Sequence, residues 1–258
     1  MKAYDGEFMK ALRANAERMR SNLKFKTPTP KTSKKIRHEN KALIDPCTAD
    51  RFASLCERYM EHDKFCDQSG SYFINSLYLD TPFAKDYAEK EFGAYDRKKM
   101  RIRNYGYELD WANLEMKRKI DVWEYKDSVR LTKEQVYSVA HGDFSPLLDI
   151  GTAKSVKMYA ILTEGVYRPS NIVEYDREAF VLPFEDVRIT FDRDVRFTIS
   201  EFDLFKPKVT TPVFPDGYVV LEIKYNEYLP GWAKKILNEI NHSSESVSKY
   251  CAAKEIIM

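Results

Sequence analysis

The sequence has few of the residues that several common kinds of active site require. Only 4 cysteines and 4 histidines occur in 258 residues, no two cysteines form a C-x-x-C pair, and no two histidines have H-x-x-x-H spacing. A structural zinc site and a Ser/His/Asp or Cys/His nucleophile are therefore not supported. With 9 glycines, no segment resembles the G-x-x-x-x-G-K-[ST] loop that cradles nucleotide phosphates. If a nucleotide is bound, cationic side chains must hold it.

Long apolar segments and a large net charge are also missing. No apolar run approaches the roughly 18 residues that span a bilayer, and no secretory hydrophobic region follows the start of the sequence. With reduced thiols as the default, we expect a soluble protein located in the cytoplasm. The formal net charge is +2 although 32% of the residues are charged, so bulk charge does not predict nucleic-acid binding. Acids and bases must be segregated locally if they have a function.

The N-terminal residues differ from the rest of the chain. Residues 5–23 carry apolar side chains at helical spacing, and residues 24–35 combine lysines with prolines and threonines, which preclude a continuing helix. We therefore expect an N-terminal helix and basic linker over residues 1–33 and a folded domain over residues 34–258. The extension is either a packed helix with a solvated connector or a tail that docks on an acidic partner or anionic surface.

Helices are predicted in three parts of the folded domain. An apolar stripe follows Thr48, a candidate N-cap, and predicts a helix to about Phe65. Thr132 and Gln135 resemble a capping box at the start of a largely helical region over residues 132–166. Two more helices are expected at 232–241 and 244–257.

Charged and apolar residues alternate in several predicted strands. In Lys99–Tyr105, three cations share one face with Tyr105, opposite Met100 and Ile102. Similar alternation occurs at 36–44, 114–120, 172–181, 187–197 and 218–228, and a mostly apolar strand is expected at 72–79. The charged faces together carry Arg37, Lys41, Lys99, Arg101, Arg103, Lys117, Lys119, Arg177, Arg188 and Lys224, interleaved with Glu39, Glu115, Asp192 and Glu222.

Two architectures fit these amphipathic strands: an open sheet with a charged solvent face, or an antiparallel barrel of about eight strands with a charged interior. Facing cations repel one another, so a charged interior is sensible only if a polyanion occupies it. Arginine forks match phosphate oxygens, and sparse carboxylates suit Mg²⁺ or Mn²⁺, which prefer oxygen ligands. Cations with a few carboxylates form the pattern expected for phosphoryl transfer.

Eight short motifs, in order, resemble the VTC domain of polyphosphate polymerases, a family within the CYTH or triphosphate tunnel metalloenzyme superfamily. The resemblance covers about residues 34–256. It is carried by Arg37-x-Glu39-x-Lys41, Ser76-Leu-Tyr-Leu-Asp80, Lys99-x-Arg101-x-Arg103-x-Tyr105, Leu114-Glu-x-Lys117, Tyr175-x-Arg177, Arg188-x-Thr-x-Asp192, Leu221-Glu-x-Lys224 and Ser248-Lys249-Tyr250.

This resemblance implies an α+β fold, an antiparallel β-barrel tunnel with helices packed on the outside. It also implies transfer of the γ-phosphate of ATP to a growing polyphosphate chain, supported by Mn²⁺ or Mg²⁺. The implied ligands are ATP, triphosphate and polyphosphate, and nucleic acid is not expected. By the resemblance, the phosphates would be gripped by Arg101, Arg103, Lys117, Arg177, Arg188, Lys249 and Lys41.

The remaining candidate residues complete the predicted site. By the resemblance, Glu222 would bind the metal and Tyr175 would donate a hydrogen bond to a phosphate oxygen. The charged faces add Glu39 as a second candidate metal ligand. They add Arg37, Lys224 and Lys119 as candidate substrate-binding residues, although Lys119 also fits a solvated pair partner near a strand end.

The first strand bears on which reaction is catalysed. Hydrolytic relatives typically begin with Glu-x-Glu-x-Lys, whereas this sequence has Arg37 at the first of those positions. One candidate metal ligand is thereby replaced by a phosphate contact, which favours phosphate transfer. Hydrolysis of triphosphates and non-catalytic binding of polyphosphate remain as alternatives. In a further departure, Ala42 follows Lys41 where the family usually has an aromatic residue.

Overall fold

The computed structural model describes residues 38–121, 123–182, 186–240 and 247–257. The predicted N-terminal helix, the basic linker and Arg37 lie outside these residues. The described part consists of an antiparallel sheet with helices packed against its outer surface.

The sheet contains eight long strands and two short ones among the described residues. In chain order they are β1 (His38–Ile44), β2 (Glu61–His62), β3 (Ser71–Asp80), β4 (Asp96–Asn104), β5 (Trp111–Ile120), β6 (Trp123–Thr132), β7 (Arg168–Leu182), β8 (Val187–Thr198), β9 (Thr211–Pro212) and β10 (Val219–Tyr225). The long strands are neighbours in the order β1-β10-β8-β7-β3-β4-β5-β6. Strand β2 pairs with β7, and β9 pairs with β8.

The two ends of this sheet, β1 and β6, curve towards each other. Within the described residues no backbone pairing joins β1 to β6. Nevertheless, Lys117 Nζ on β5 lies 3.4 Å from Glu39 Oε2 on β1, although these strands are far apart in the sheet order. The predicted α+β fold, an antiparallel tunnel with outer helices, is confirmed, and its ring of hydrogen bonds is open between β1 and β6.

Seven helices occur in the described residues. They are α1 (Pro46–Tyr59), α2 (Lys85–Glu91), α3 (Lys133–Ala140), α4 (Pro146–Ile150), α5 (Ala153–Glu164), α6 (Gly231–Ile240) and α7 (Lys249–Glu255). None of the described helices is both long enough and apolar enough to cross a membrane.

The helices cover the apolar face of the sheet in two separate cores. Helices α1 and α6 pack on β1, β10 and β8 through residues such as Phe52, Ile189 and Ile236. Helices α3, α4 and α5 pack on β4, β5 and β6 around Met100 and Leu114. Each fully buried side chain of this size contributes about 1.5–3 kcal/mol. Because these cores use the apolar residues of each strand, the charged residues must face the inside.

A third apolar cluster lies on the inner face of the sheet. Helix α7 packs there through Tyr250, against Tyr78, Val173 and Tyr175. The phenol of Tyr250 donates a hydrogen bond of 2.5 Å to Asp80 Oδ2 at the end of β3. This contact fixes α7 at one end of the inner space.

Helix α1 differs from its prediction at both ends. Asp45, and not Thr48, is the N-cap: its Oδ1 accepts a hydrogen bond of 3.0 Å from the backbone N–H of Thr48. The helix ends at Tyr59 because Met60 is extended and the following residues pair with β7 as strand β2. The predicted capping box of Thr132 and Gln135 is confirmed at α3.

Candidate functional site

The charged faces of the strands meet in the space enclosed by the curved sheet. Arg101, for example, alternates on β4 with Met100 and Ile102, which are both fully buried in an outer core. We call the enclosed space the lumen. It is lined by Glu39, Lys41, Arg101, Arg103, Glu115, Lys117, Tyr175, Arg177, Arg188, Asp192, Glu222, Lys224 and Lys249.

Two lysines and two glutamates alternate on β1 and β10. Lys41 is paired with Glu222 across the strands, and Glu39 is paired with Lys224. Lys41 contacts Glu39 and lies 3.9 Å from Glu222, while Lys224 contacts Glu222 and lies 3.8 Å from Glu39. Burial raises the pKa of Glu222, but Lys41 and Lys224 outweigh burial and hold this pKa well below its usual range. Each lysine therefore bridges both carboxylates.

A second cluster surrounds Asp192 on β8, which is fully buried. Its carboxylate accepts hydrogen bonds of 2.6 and 2.8 Å from Nε and Nη2 of Arg177, and Lys249 Nζ lies 2.5 Å from Oδ2. Lys249 reaches this position from the first turn of α7, and it lies 4.8 Å from the ring centroid of Tyr175. Burial raises the pKa of Asp192, but Arg177 and Lys249 outweigh it, so the pKa is lowered. One buried anion thus holds two cations in the lumen.

A third cluster is centred on Glu115 of β5. Arg101 Nε donates a hydrogen bond of 2.8 Å to Glu115 Oε2, and Lys126 Nζ on β6 lies 2.5 Å from Oε1. Burial raises the pKa of Glu115, but Arg101 and Arg103 lower it to about 2. The cations have the same effect on the phenol of Tyr78: burial raises its pKa, yet Arg101 and Lys99 bring it down to about 8. Both groups indicate a strongly positive potential in this part of the lumen.

Arg103 lacks a carboxylate partner within the described residues. Its guanidinium donates hydrogen bonds of 3.2 Å to the phenol oxygen of Tyr175 and 3.3 Å to Ser76 Oγ, which are both neutral groups. The residue is only 8% exposed. Glu115 acts on Arg103 only through space, without a direct ion pair. A buried charge in this situation is costly, and a bound anion in direct contact would offset that cost.

The last two predicted cations lie nearer to solvent. Arg188 Nη2 donates a hydrogen bond of 2.9 Å to the phenol oxygen of Tyr72, and the guanidinium contacts Asp63. Lys117 Nζ lies 3.4 Å from Glu39 and 2.9 Å from Glu124 on β6. Both cations face the lumen from positions that a ligand can reach.

The structure does not bring every candidate residue into this arrangement. Lys119 lies two residues beyond Lys117, next to the β5–β6 hairpin, and in the described part of the chain no ion pair joins it to the lumen. Lys99 lies at α7, where Nζ donates a hydrogen bond of 2.9 Å to Ser248 Oγ and faces the rings of Tyr78 and Tyr250.

Strand β6 and its contribution to the site were not predicted. Lys126, which contacts Glu115, and Glu124, which contacts Lys117, both come from this strand. Their alternation with Val129 and Leu131, which are buried in the outer core, continues the pattern used for the other strands. The sequence therefore contained the signal, in a segment that begins with two exposed aromatic residues, Trp123 and Tyr125.

The lumen carboxylates can supply only part of the ligand set of a divalent cation. No group of three or more His, Cys, Asp or Glu side chains is arranged to hold a metal within the described residues. Glu39 and Glu222 are nevertheless neighbours that share both lysines of the β1–β10 cluster. Their hard oxygens fit Mg²⁺ or Mn²⁺ if phosphate oxygens supply the remaining ligands. The donor set therefore fits a metal that arrives with a phosphate substrate.

The family model of the VTC domain matches residues 36–258. The chain belongs to the VTC domain family. This confirms the family that the eight motifs indicated. No curated protein matches the sequence.

Solved structures share the fold of this VTC domain at low sequence identity. HpAC1 from Hippeastrum, a candidate adenylyl cyclase described as having a dominant triphosphatase activity, is 14% identical with a TM-score of 0.51, over 84% of this chain and 94% of that protein. A candidate adenylate cyclase from Bacillus halodurans is 12% identical with a TM-score of 0.44, over 83% of this chain and 92% of that protein. The first of these similarities supports the tunnel fold, and neither fixes an activity.

Proposed function

We propose that this VTC domain is a polyphosphate polymerase that transfers the γ-phosphate of ATP to a polyphosphate chain held in the lumen. The proposal rests on the environment of Arg103, a nearly buried arginine whose hydrogen-bond partners within the described residues are neutral. It lies among cations from several strands, so a polyanion is the ligand that the lumen suits best.

The lumen cations suit phosphoryl transfer because this reaction needs little covalent chemistry from the protein. Its barrier falls when donor and acceptor phosphates are aligned and the charge on the transferred group is neutralised. Arg101 and Arg103 on β4 and Arg177 on β7 present guanidinium groups to the same space. They can hold successive phosphates of one chain in line, while Lys41 and Lys249 add point charges.

Glu115 and Glu222 are weak general bases as long as the lumen cations engage them. Hydrolysis is helped by a general base that takes a proton from water, whereas a terminal phosphate of polyphosphate is already an anion and needs no base. The pKa of Glu115 is lowered to about 2 and that of Glu222 is lowered as well, in each case because lumen cations outweigh burial. Carboxylates of this kind accept protons poorly at neutral pH.

Glu39 and Glu222 are the residues that would hold a divalent cation. When bound, Mn²⁺ or Mg²⁺ would supply further neutralisation of phosphate charge. The two carboxylates are available only if phosphate takes over the contacts that Lys41 and Lys224 now make with them.

The test is to incubate the purified protein with ATP and Mn²⁺ and to separate the products by size. Long phosphate polymer is the expected product, and ADP with no polymer would contradict the proposal. A triphosphate hydrolase is the second candidate, because the Hippeastrum protein of similar fold is described as having a dominant triphosphatase activity. It would give free orthophosphate. Tight polyphosphate binding with no turnover would indicate a binding module.

Matched variants connect the product to the lumen. Arg103→Met removes the lumen arginine that makes no direct ion pair within the described residues and should abolish polymer formation. Arg118→Met is the control, since Arg118 lies on β5 in an exposed pair with Asp96, 2.8 Å from Nε to Oδ1. This control should leave activity unchanged. Equal losses in the two variants would mean that the lumen is not the site.

A further inference from the structure

The gap between β1 and β6 is the place where the wall of the lumen lacks backbone pairing within the described residues. We call this gap the seam. On the β1 side it is bordered by Glu39 and Lys41, and on the other side by Lys117, Glu124 and Lys126.

Side chains, and not hydrogen-bonded strands, bridge the seam. Lys117 Nζ lies 3.4 Å from Glu39 Oε2 on one side and 2.9 Å from Glu124 Oε2 on the other. The pair with Glu124 is exposed, and such a pair contributes about 0–1 kcal/mol. A polyanion can replace both contacts of Lys117, because phosphate oxygens offer the lysine the same kind of contact as a carboxylate.

Exposure to solvent also distinguishes the seam from the opposite wall. The side chains of Lys117, Glu124 and Lys126 are 43%, 42% and 55% exposed. On the opposite wall, the side chain of Arg177 is only 12% exposed. The side chains at the seam are therefore more accessible than Arg177 on the opposite wall, and two of the three are cations.

We propose that the seam admits polyphosphate from the side, so that the lumen binds internal segments of a polymer that has no accessible end. A closed ring would require an end to be threaded through it. A polyphosphate chain has no side groups, so an opening as wide as a single row of phosphates is enough for the chain to enter sideways. This inference rests on the proposed function, in that both require the lumen to bind polyphosphate.

The decisive probe is linear polyphosphate that carries a folded protein, too wide to enter the lumen, on each terminal phosphate and is much longer than the lumen. Its binding to the full chain is measured by competition with tripolyphosphate, beside uncapped polymer of the same length. We expect the two affinities to agree within about tenfold, a difference of about 1.4 kcal/mol. Capped polymer that binds more than about a hundredfold more weakly would overturn the inference.

The uncapped polymer separates the two proposals. If capped and uncapped polymers both fail to bind, the proposed function itself is wrong. If only the capped polymer fails, the lumen binds polyphosphate but the seam does not admit it. Arg103→Met should remove the binding of capped polymer, and retention of that binding would place it outside the lumen and overturn the inference.

A charge change at the seam provides a second measurement. Glu124→Lys replaces an anion with a cation on the path, so it should raise the association rate of capped polymer several-fold at low salt. Glu57→Lys makes the same change in net charge on the exposed surface of α1. Equal association rates in the two variants would contradict a route through the seam.

Discussion

Lys249 is the lumen cation whose removal separates ligand binding from stability most clearly. Its Nζ lies 2.5 Å from Asp192, and Arg177 already makes two hydrogen bonds with the same carboxylate. The cluster therefore holds two cations for one anion in a nearly buried place. Lys249→Met should leave the bidentate pair of Arg177 and Asp192 intact and remove the surplus charge.

The expected change in stability is small and the expected change in affinity is large. Lys249 loses an attraction to Asp192, but its removal also ends the repulsion from Arg177, the desolvation of a buried ammonium and an unfavourable charge at the N-terminus of α7. We expect the free energy of unfolding to change by less than about 1 kcal/mol. Loss of a charge-assisted hydrogen bond to phosphate costs about 1.5–3 kcal/mol, or roughly tenfold to hundredfold in tripolyphosphate affinity.

The contrasting change is Asp192→Asn, which leaves Arg177 and Lys249 without their carboxylate. Breaking a buried ion pair by removing one partner costs about 3–5 kcal/mol. Stability is measured by urea unfolding and affinity by calorimetric titration with tripolyphosphate. Lys157→Met is the control, because Lys157 forms a half-exposed pair with Asp127 at 2.8 Å on the outer surface. In this control, neither the free energy of unfolding nor that of tripolyphosphate binding should change by more than about 1 kcal/mol, the upper value for a surface ion pair.

Two outcomes would refute this reasoning. If Lys249→Met unfolds as easily as Asp192→Asn, Lys249 is a structural part of the cluster and not a surplus charge. If its tripolyphosphate affinity equals that of the unaltered protein, Lys249 does not contact phosphate.

Three further predictions concern single groups. The pKa of Tyr78, lowered to about 8 by Arg101 and Lys99 against the effect of burial, should rise when tripolyphosphate neutralises these cations. Ultraviolet absorbance of the phenolate, compared with Tyr78→Phe, measures this rise. Burial raises the pKa of Asp86 to about 6, so the folded state keeps a proton that the unfolded state releases, and stability should fall as pH rises from about 4 to about 6. Asp86→Asn should remove this part of the pH dependence of urea unfolding, whereas an unchanged profile would contradict it. Glu222→Gln should abolish the effect of Mn²⁺ on triphosphate binding while metal-free affinity does not fall, and calorimetry with and without Mn²⁺ tests both parts.

The strands of the wall could be predicted because one face of each is apolar and covered. Met100 and Ile102 on β4 alternate with the lumen arginines and are fully buried in an outer core. A period of two defines the two faces of a strand wherever one face is buried. The helix bounds were less predictable, since the end of α1 depends on the pairing of β2 with β7.

The convergence of the charged faces could not be predicted from alternation. An open sheet and a curved sheet have the same period, and the difference lies in contacts between distant strands such as that of Lys117 with Glu39. The resemblance to the VTC family predicted the tunnel fold, but it did not predict which charged side chains pair inside it. Asp192 holds Arg177 and Lys249 together only because α7 lies beside β8. No local sequence pattern reveals this placement of the helix.

The pairing of lumen cations with carboxylates explains how a strongly basic interior can exist in a protein of net charge +2. Glu115, Asp192 and Glu222 are each paired with two cations and Glu39 with three, so these cations keep their positions without a ligand. A phosphate chain must displace those carboxylates, and the energy of the broken pairs is subtracted from its affinity. We therefore expect a phosphate chain to be bound less tightly than the number of cations suggests. Under the proposed function, weaker binding would help the polymer to move along the lumen after each transfer. Arg103 makes no direct ion pair that phosphate would have to displace within the described residues, and we expect it to make the strongest single phosphate contact.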